Sequence, residues 1–383
     1  TERRTGSMSD ERMEVIVVGG GLAGLSAAYT MARAGMEVLL IERGSYCGAK
    51  NVTGGKLCAD VLKKLIPSFE EELPVERRLI REQAYAWSGS AVSETGLDVR
   101  ALQATKYGDA CSVLRAKLDQ WLCEKAEEEG VMVINNITVT GLLIEDGKVC
   151  GVMAGDERME AGLVILADGA NSLLAQQAGL GTPPEPGTTC VGVKEVIQLG
   201  EETVNSRFGL AGDEGVEYMY LGDRSAGNYA DGFIYTNRDS VSVGIEFLIG
   251  DIDKTDKAVP ELLEEFKELP AVAELIEGGT LLEYSAHIVR HGGSSKLGRL
   301  CGDGVLIAGD AAGLVANYGF TIRGMDLAVE SGILAAETAI ALRESGDYSA
   351  EALSAYQQAV EASGIFRELR RCEEYMNETH GGV

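Results

Sequence analysis

The sequence predicts an α/β protein: a Rossmann-like nucleotide-binding domain interrupted by a second, mainly antiparallel β domain. Three observations predict it. A glycine-rich turn, Gly19-x-Gly21-x-x-Gly24, joins an apolar run to an amphipathic one near the start of the chain. A second turn, Gly309-Asp310, closes another apolar run far downstream. Between them, from about Pro183 to Gly293, the texture changes to alternating apolar and polar residues, the period of a strand.

Composition bounds what the chain can be. Its 383 residues and 45% hydrophobic content suffice for one large core or for two domains sharing a seam. Glycine is abundant at 49 residues and proline scarce at 7, which implies tight turns and close backbone approaches rather than disorder. The formal net charge of -26 argues against nucleic-acid binding and against broad adhesion to anionic lipid. It serves either solubility alone or the docking of a basic partner protein. No apolar run reaches the roughly 18 to 20 residues of a membrane span. The polar opening predicts no secretory signal, and Thr1 to Ser7 ahead of Met8 read as a leader or cloning remnant. The eight cysteines include no CxxC, so neither an iron–sulfur nor a zinc site is expected within the chain. They read as buried thiols of a cytoplasmic protein.

Around the first turn, Val15 to Val18 read as a short apolar strand, Leu22 to Ala34 as a helix and Glu37 to Ile41 as a second strand. In such a unit the first glycine makes the turn, the second admits a pyrophosphate and the third lets the helix pack closely. The diphosphate rests on free amides at the helix start. Glu42 ends the second strand, where its carboxylate can accept both ribose hydroxyls and disfavours a 2'-phosphate. A dinucleotide follows from this unit, but the unit does not separate NAD from FAD.

The middle of the chain supplies further candidates. Gly54 and Gly55 either let the backbone cross close to a flat ring or form an ordinary loop before a helix at Ala59 to Leu65. "CSVLRAKLDQWLCEKAEEEG" reads as a helix ending at Gly130, with Leu114, Leu118, Trp121 and Leu122 facing a core. Arg115 lies near its start, where a cation opposes the helix dipole, so it reads as the partner of an anion or as a solvated side chain. Asp146-Gly147 marks a hairpin. Leu163 to Ala167 form another apolar strand, closed by Asp168-Gly169; this turn is either near the nucleotide or purely structural. Asn171 and Ser172 can cap the helix that follows. Ser240 to Gly250 alternate as a half-buried antiparallel strand, and Val259 to Gly279 read as a helical insertion. The expected layout is a nucleotide domain of residues 8–80, 111–182 and 296–350, a second domain of 81–110 and 183–295, and a C-terminal helical segment, 351–383.

The second turn selects the nucleotide. Val305 to Ala308 return to the parallel sheet, and Asp310 stands at its carboxyl edge, where ligands of such sheets bind. Ala311 to Gly313 keep the next turn slim, and the Met325 to Arg343 helix covers the crevice with small residues. A compact NAD domain has no need of this second segment. An extended FAD does, and Asp310 can accept a ribityl hydroxyl. The alternative is an aspartate that only caps a helix.

With these residues in view, the chain resembles the FixC-type flavoproteins, relatives of electron-transfer flavoprotein:quinone oxidoreductase. More distantly it resembles the geranylgeranyl reductases and p-hydroxybenzoate hydroxylase. The resemblance spans about Glu11 to Tyr375 and rests on "GAKNVTGG", "VLRAKLDQWL", "ILADGANSLLA" and "GLVANYGFTIRGMDLA". It implies an FAD-binding domain of the p-hydroxybenzoate hydroxylase/glutathione reductase type. Gly19, Gly21, Leu22, Ala23, Gly24, Glu42 and Arg43 would serve the ADP half, and Gly54 and Gly55 would lie against the isoalloxazine. Arg115, Asp168 and Gly169 would border the cofactor. Gly309, Asp310, Ala311 and Gly313 would take the ribityl or phosphate portion, with Gly319 and Phe320 near the ring.

The resemblance further implies an electron relay, from reduced electron-transfer flavoprotein through FAD toward membrane quinone. No catalytic acid, nucleophile or metal ligand is nominated, because a relay needs none. The mitochondrial-type relatives carry a C-terminal iron–sulfur domain; here a small ferredoxin-like partner is expected instead, and the C-terminus reads as shorter than the family's. Membrane contact would be monotopic and peripheral at the cytoplasmic face, through Glu217 to Gly222 or Phe247 to Gly250, unless both are core strands. His287 would lie near the domain seam or be an ordinary satisfied histidine. Three other readings stay open: a prenyl-lipid reductase, an NAD(P)H-dependent monooxygenase, and a flavin-bearing subunit of an electron-transfer complex that itself turns nothing over.

Overall fold

The computed structural model describes residues 12–51, 55–68, 72–94, 110–290, 292–318 and 321–380. From the start, β1 (Met13–Val18), α1 (Leu22–Arg33) and β2 (Val38–Ile41) precede β3 (Lys56–Cys58), the single turn α2 (Leu62–Leu65), β4 (Val75–Ser88), β5 (Ala91–Glu94) and β6 (Ala110–Val113). Then come α3 (Arg115–Glu128), β7 (Met132–Ile134), β8 (Gly141–Glu145), β9 (Lys148–Ala154), β10 (Glu157–Leu166), α4 (Leu173–Gln177), β11 (Thr189–Gln198) and α5 (Glu201–Phe208). β12 (Glu214–Gly222), β13 (Ala230–Thr236) and β14 (Ser240–Leu248) lead to α6 (Val259–Glu268), α7 (Pro270–Ile276) and β15 (Thr280–Arg290). The chain closes with β16 (Cys301–Gly302), β17 (Val305–Ile307), β18 (Ala316–Asn317), β19 (Ile322–Arg323), α8 (Met325–Leu342), α9 (Ala350–Ala362) and α10 (Gly364–His380).

The first sheet has the order β16-β17-β10-β1-β2-β7, parallel from β17 to β7. Its central strands are apolar on both faces, and Val15 to Val17 and Leu163 to Leu166 are fully buried. That pattern belongs to a parallel sheet covered on both sides. On one side α1 crosses α8 so closely that a Cβ at Gly332 would stand 2.2 Å from the Ala23 carbonyl oxygen. The small residues of α8 therefore set the helix spacing. β10 serves two pairings: its first half joins the β8–β9 hairpin, which turns at Asp146-Gly147, and its second half joins β1.

The second sheet runs β15-β11-β14-β13-β12-β4-β6-β3, with β5 on β4. All its pairs are antiparallel except β12–β4. It starts earlier in the chain than the sequence layout places it. A boundary at residue 81 falls inside β4, and β3 and β6 also pair in this sheet. The reason is length: β3 and β6 have 3 and 4 residues, too few to show a period.

One face of this sheet is apolar. Val193, Tyr218, Tyr220, Val243 and Ile245 pack there against Phe208, Leu263, Phe266 and Val272 of α5, α6 and α7. The expected half-buried strand is corrected at this point. β14 is buried on both faces, because Ser242 and Glu246 of its other face are covered too. The two segments considered for membrane contact are likewise core strands: Tyr218, Met219 and Tyr220 are at most 8% exposed and Phe247 is 1% exposed.

Candidate functional site

The strand order brings the sequence-predicted residues into one row. β17, β10, β1 and β2 are adjacent and parallel, so the residues after them share the carboxyl edge of the sheet. Asp310, Asp168, the Gly19–Gly24 turn and Glu42 follow those four strands in that order. This is the crevice where open α/β sheets bind ligands.

The three glycines of the first turn answer to three different constraints. Gly19 has φ +107°, and a Cβ there would lie 2.3 Å from the Ala167 carbonyl oxygen. At Gly24 a Cβ would lie 2.0 Å from the Gly19 carbonyl oxygen. Among the described residues, a Cβ at Gly21 would meet only the Arg115 Nη2 and Asn51 Nδ2 atoms, both 3.8 Å away. The protein itself needs glycine at the first two positions. At Gly21 it leaves open space facing two nitrogen donors, the shape and polarity a diphosphate requires.

Glu42 is buried, and both its oxygens accept backbone hydrogen bonds: the Gly20 amide donates to Oε2 (2.7 Å) and the Gly44 amide to Oε1 (2.6 Å). A carboxylate offers about four acceptor positions, so capacity for ribose hydroxyls remains. Arg43 is exposed beside it. Leu22 and Ala23 are buried at the start of α1, and Cys47 lies behind the loop, 2.5 Å from a Cβ built at Gly20.

Arg115 opens α3 and does pair with an anion, one supplied by the same helix. Its Nε and Nη2 each donate to a carboxylate oxygen of Asp119 at 2.8 Å. Asp119, fully buried, also accepts from Asn51. Burial opposes the charge on Arg115, but Asp119, aided by Asp310, outweighs it and raises its pKa. The i,i+4 spacing of Arg115 and Asp119 was the available signal for this pair.

At the second turn, Gly309 has φ +63°, and a Cβ there would lie 2.8 Å from Ala23 Cβ. The Ser331 hydroxyl of α8 accepts its amide hydrogen bond (2.9 Å). The Asp310 carboxylate receives no hydrogen bond among the described residues, so it caps nothing. Around it stand Arg115, Arg290 and His287, each of which feels its charge; burial lowers the pKa of His287, so the two arginines are the cations there. Arg290 lies against Gly313, about 3.6 Å from a Cβ built there. A shallow pocket beside the second turn is lined by Ala170, Asn171, Ser172, Arg290 and Ala311. Asp168 accepts from Ser172 Oγ (2.7 Å); burial outweighs that bond and raises its pKa. Gly169 follows with φ +86°.

Two buried groups were missed in the sequence. Lys194 on β11 is pushed down to about 7, chiefly by burial and then by Arg115. Lys56, next to Gly55, makes ion pairs of 2.9 Å with both Glu82 and Glu217 and donates to Thr321 Oγ1 (2.5 Å). These charges sit on alternating strands, where a sequence suggests a solvated face. Thr321 belongs to the β18–β19 hairpin, which α10 braces: the Tyr318 hydroxyl donates to Glu368 Oε1 (2.8 Å), Arg323 pairs with Glu368 (3.0 Å), and the Cys372 thiol donates to the Asn317 carbonyl (3.1 Å). Gly54, Gly319, Phe320 and His291 lie outside the described residues.

The comparisons agree with this geometry. The family described as "FAD binding domain" matches residues 12–207. A probable electron transfer flavoprotein-quinone oxidoreductase of Escherichia coli K12, YdiS, is 47% identical over 95% of this chain and 84% of its own length. Protein FixC of Bradyrhizobium diazoefficiens is 41% identical over the same shares. The chain belongs to the FixC and electron-transfer flavoprotein–quinone oxidoreductase family. As a member it is an FAD-dependent oxidoreductase.

The family fold is also seen in a geranylgeranyl bacteriochlorophyll reductase-like protein of Thermoplasma acidophilum. That structure matches with a TM-score of 0.75 at 22% identity, over 97% of this chain and 87% of that one. The flavin-dependent brominase Bmp2 matches at 0.68 and 17% identity, over 91% and 83%. Both speak to architecture alone. The residues present fit FAD: the open space at Gly21 and the cations around Asp310 match a long dianionic dinucleotide.

Proposed function

We propose that the protein takes electrons from a reduced electron-transfer flavoprotein and passes them through FAD to a membrane quinone. The observation that carries this reading is the 47% identity, across nearly the whole chain, to a probable oxidoreductase of that type. Bound FAD would supply the redox chemistry, exchanging electrons singly or in pairs. The chain's own residues bind and orient it. Gly19, Gly21, Leu22, Ala23 and Gly24 present the phosphate cradle, with Arg115 held at its rim by Asp119. Glu42 and Arg43 serve the adenosine end. Asp168, Gly169, Gly309, Asp310, Ala311 and Gly313 line the path to the ring, and Gly54, Gly55, Gly319 and Phe320 border the ring itself.

Two finer points belong to the same reading. No group of three or more metal-ligating side chains gathers among the described residues. We therefore assign any iron–sulfur step to a small ferredoxin-like partner. No helix among the described residues is long and apolar enough to cross a membrane. Peripheral contact at the cytoplasmic face falls instead to the edge strand β15, where Leu281, Leu282 and Tyr284 are about half exposed.

The test is anaerobic reduction followed by flavin absorbance, with NADH, NADPH and reduced electron-transfer flavoprotein supplied in turn. Reduction by the flavoprotein alone, followed by reoxidation with a quinone, is the expected result. Rapid reduction by a nicotinamide would instead move the chain to the reductase or monooxygenase branch of its fold.

A further inference from the structure

The polar face of the second sheet carries a cluster that the cofactor site does not use. Lys56 Nζ lies 2.9 Å from Glu82 Oε2 and 2.9 Å from Glu217 Oε2, and all three side chains are less than a tenth exposed. Glu82 and Glu217 are register partners on β4 and β12, so their carboxylates are held side by side. Neither Glu217 oxygen finds a hydrogen-bond donor in good geometry among the described residues. Among the described residues one ammonium faces these two buried carboxylates, which favours the retention of one proton by the pair. Burial and then Glu217 push Glu82 up to about 7, against the pull of Lys56.

The cluster's place matters as much as its charge. Lys56 follows Gly55, and it donates to Thr321, which follows Gly319 and Phe320. These are the segments assigned to the ring. The other groups facing the pair are closed. Tyr235, the register partner of Glu217, has a phenol held neutral chiefly by burial and then by Glu217. Cys58 is raised to about 12, chiefly by burial. Arg323 is tied to Asp326 and Glu368, and Glu246 accepts from Asn317 through both oxygens (3.1 and 3.0 Å).

We propose that Lys56, Glu82 and Glu217 form the proton-loading site of the reaction, holding one exchangeable proton beside the ring and giving it to the quinone as the quinone is reduced. The inference rests on the relay reading above. The balance is two electrons, originating in the reduced electron-transfer flavoprotein, and two protons per quinone. One carboxyl O–H bond of the Glu82/Glu217 pair breaks as one quinol O–H bond forms, and the second proton comes from water. The ion cluster left behind, one ammonium against two carboxylates, is reprotonated from solvent before the next turnover.

Infrared spectroscopy of the FAD-loaded protein tests the proton directly. The C=O stretch of a protonated carboxylic acid should be present at about pH 6, fade by about pH 8, and be missing in both Glu82→Gln and Glu217→Gln. Wild-type protein with no titrating band overturns the proposal without any variant. Delivery is tested by reoxidising the reduced protein with a water-soluble quinone and with ferricenium, which takes an electron and no proton. Glu82→Gln should slow quinone reduction by about 100-fold and leave ferricenium reduction within roughly twofold. Equal quinone rates in wild type and Glu82→Gln overturn the proposal, as does an equal slowing with both acceptors. Wild type that reduces ferricenium but no quinone overturns the relay reading itself, and delivery with it.

Discussion

The two glycine turns look alike in the sequence and differ in the fold. At the first, Gly19 and Gly24 are spent on backbone contacts of 2.3 and 2.0 Å, while Gly21 faces open space. At the second, Gly309 is spent on packing against Ala23, a residue of the first turn's helix. The second turn is therefore built onto the first, and only its aspartate is left over for a ligand. The fold itself calls for glycine at three positions and not at Gly21, and the distance to the nearest atom, 2.0 to 2.8 Å against 3.8 Å, tells them apart.

Substitution should separate these roles, and the largest effect belongs to Gly24. Leucine there would press its Cβ into the Gly19 carbonyl, backbone against which nothing can yield. Gly24→Leu should cost at least about 3 kcal/mol, or prevent folding, in a denaturant titration of the apoprotein. Gly21→Leu makes no such clash. It should leave the apoprotein's unfolding midpoint within about 0.5 to 1 kcal/mol of wild type, yet weaken FAD binding by roughly 1000-fold, because the side chain fills the phosphate path. Flavin absorbance after desalting reads this out. A variant at Gly21 that keeps its flavin, or one that unfolds, breaks the distinction between the two glycines.

The next effect belongs to Asp310. Its carboxylate receives no hydrogen bond among the described residues, so removing it costs the fold only its charge interactions with Arg115 and Arg290. Asp310→Ala should weaken FAD by about 10- to 100-fold, the worth of one charge-assisted hydrogen bond, with a much smaller effect on the apoprotein's thermal midpoint. Gly309→Ala should do the reverse. It should lower that midpoint by the equivalent of about 1 to 2 kcal/mol, through its left-handed φ and the Ala23 contact, before affecting the cofactor.

The same division explains what could be read in advance. The first turn was legible because its constraints are local: strand, three glycines, helix and terminal acid lie within thirty residues. The place of Asp310 at the sheet's carboxyl edge was legible because an apolar strand runs straight into it. The polar face of the second sheet was not. Glu217 alternates with Tyr218 and Tyr220, which reads as a strand with one wet side. That side is dry because the β18–β19 hairpin, about a hundred residues later, covers it, and no local pattern encodes that cover. Of the two readings of Phe247 to Gly250, Phe247 takes the core one: it is buried in the cluster that α5, α6 and α7 close over this sheet. Arg115 lies between these cases, since its partner Asp119 stands one turn away on the same helix.

Lys194 carries the smallest effect and the finest test of whether the cations around Asp310 await an anion. Its ammonium is pushed down to about 7, chiefly by burial and then by Arg115. In the unfolded chain a lysine titrates near 10.4. Between about pH 7 and 10 the unfolded state therefore holds the proton more tightly, and apoprotein stability should rise with pH across that window. An anionic cofactor beside Arg115 offsets that repulsion and returns the proton to Lys194. FAD binding should then take up protons, and its affinity should fall by about threefold to tenfold between pH 7 and pH 9. Lys194→Met should flatten that slope while keeping most of the affinity at pH 9, where the lysine is already neutral. Isothermal titration in buffers of different ionisation enthalpy counts the protons directly. An uptake of zero in wild type would mean that Lys194 does not feel the cofactor, and that the anion is held by Arg115, Arg290 and the amides of the first turn.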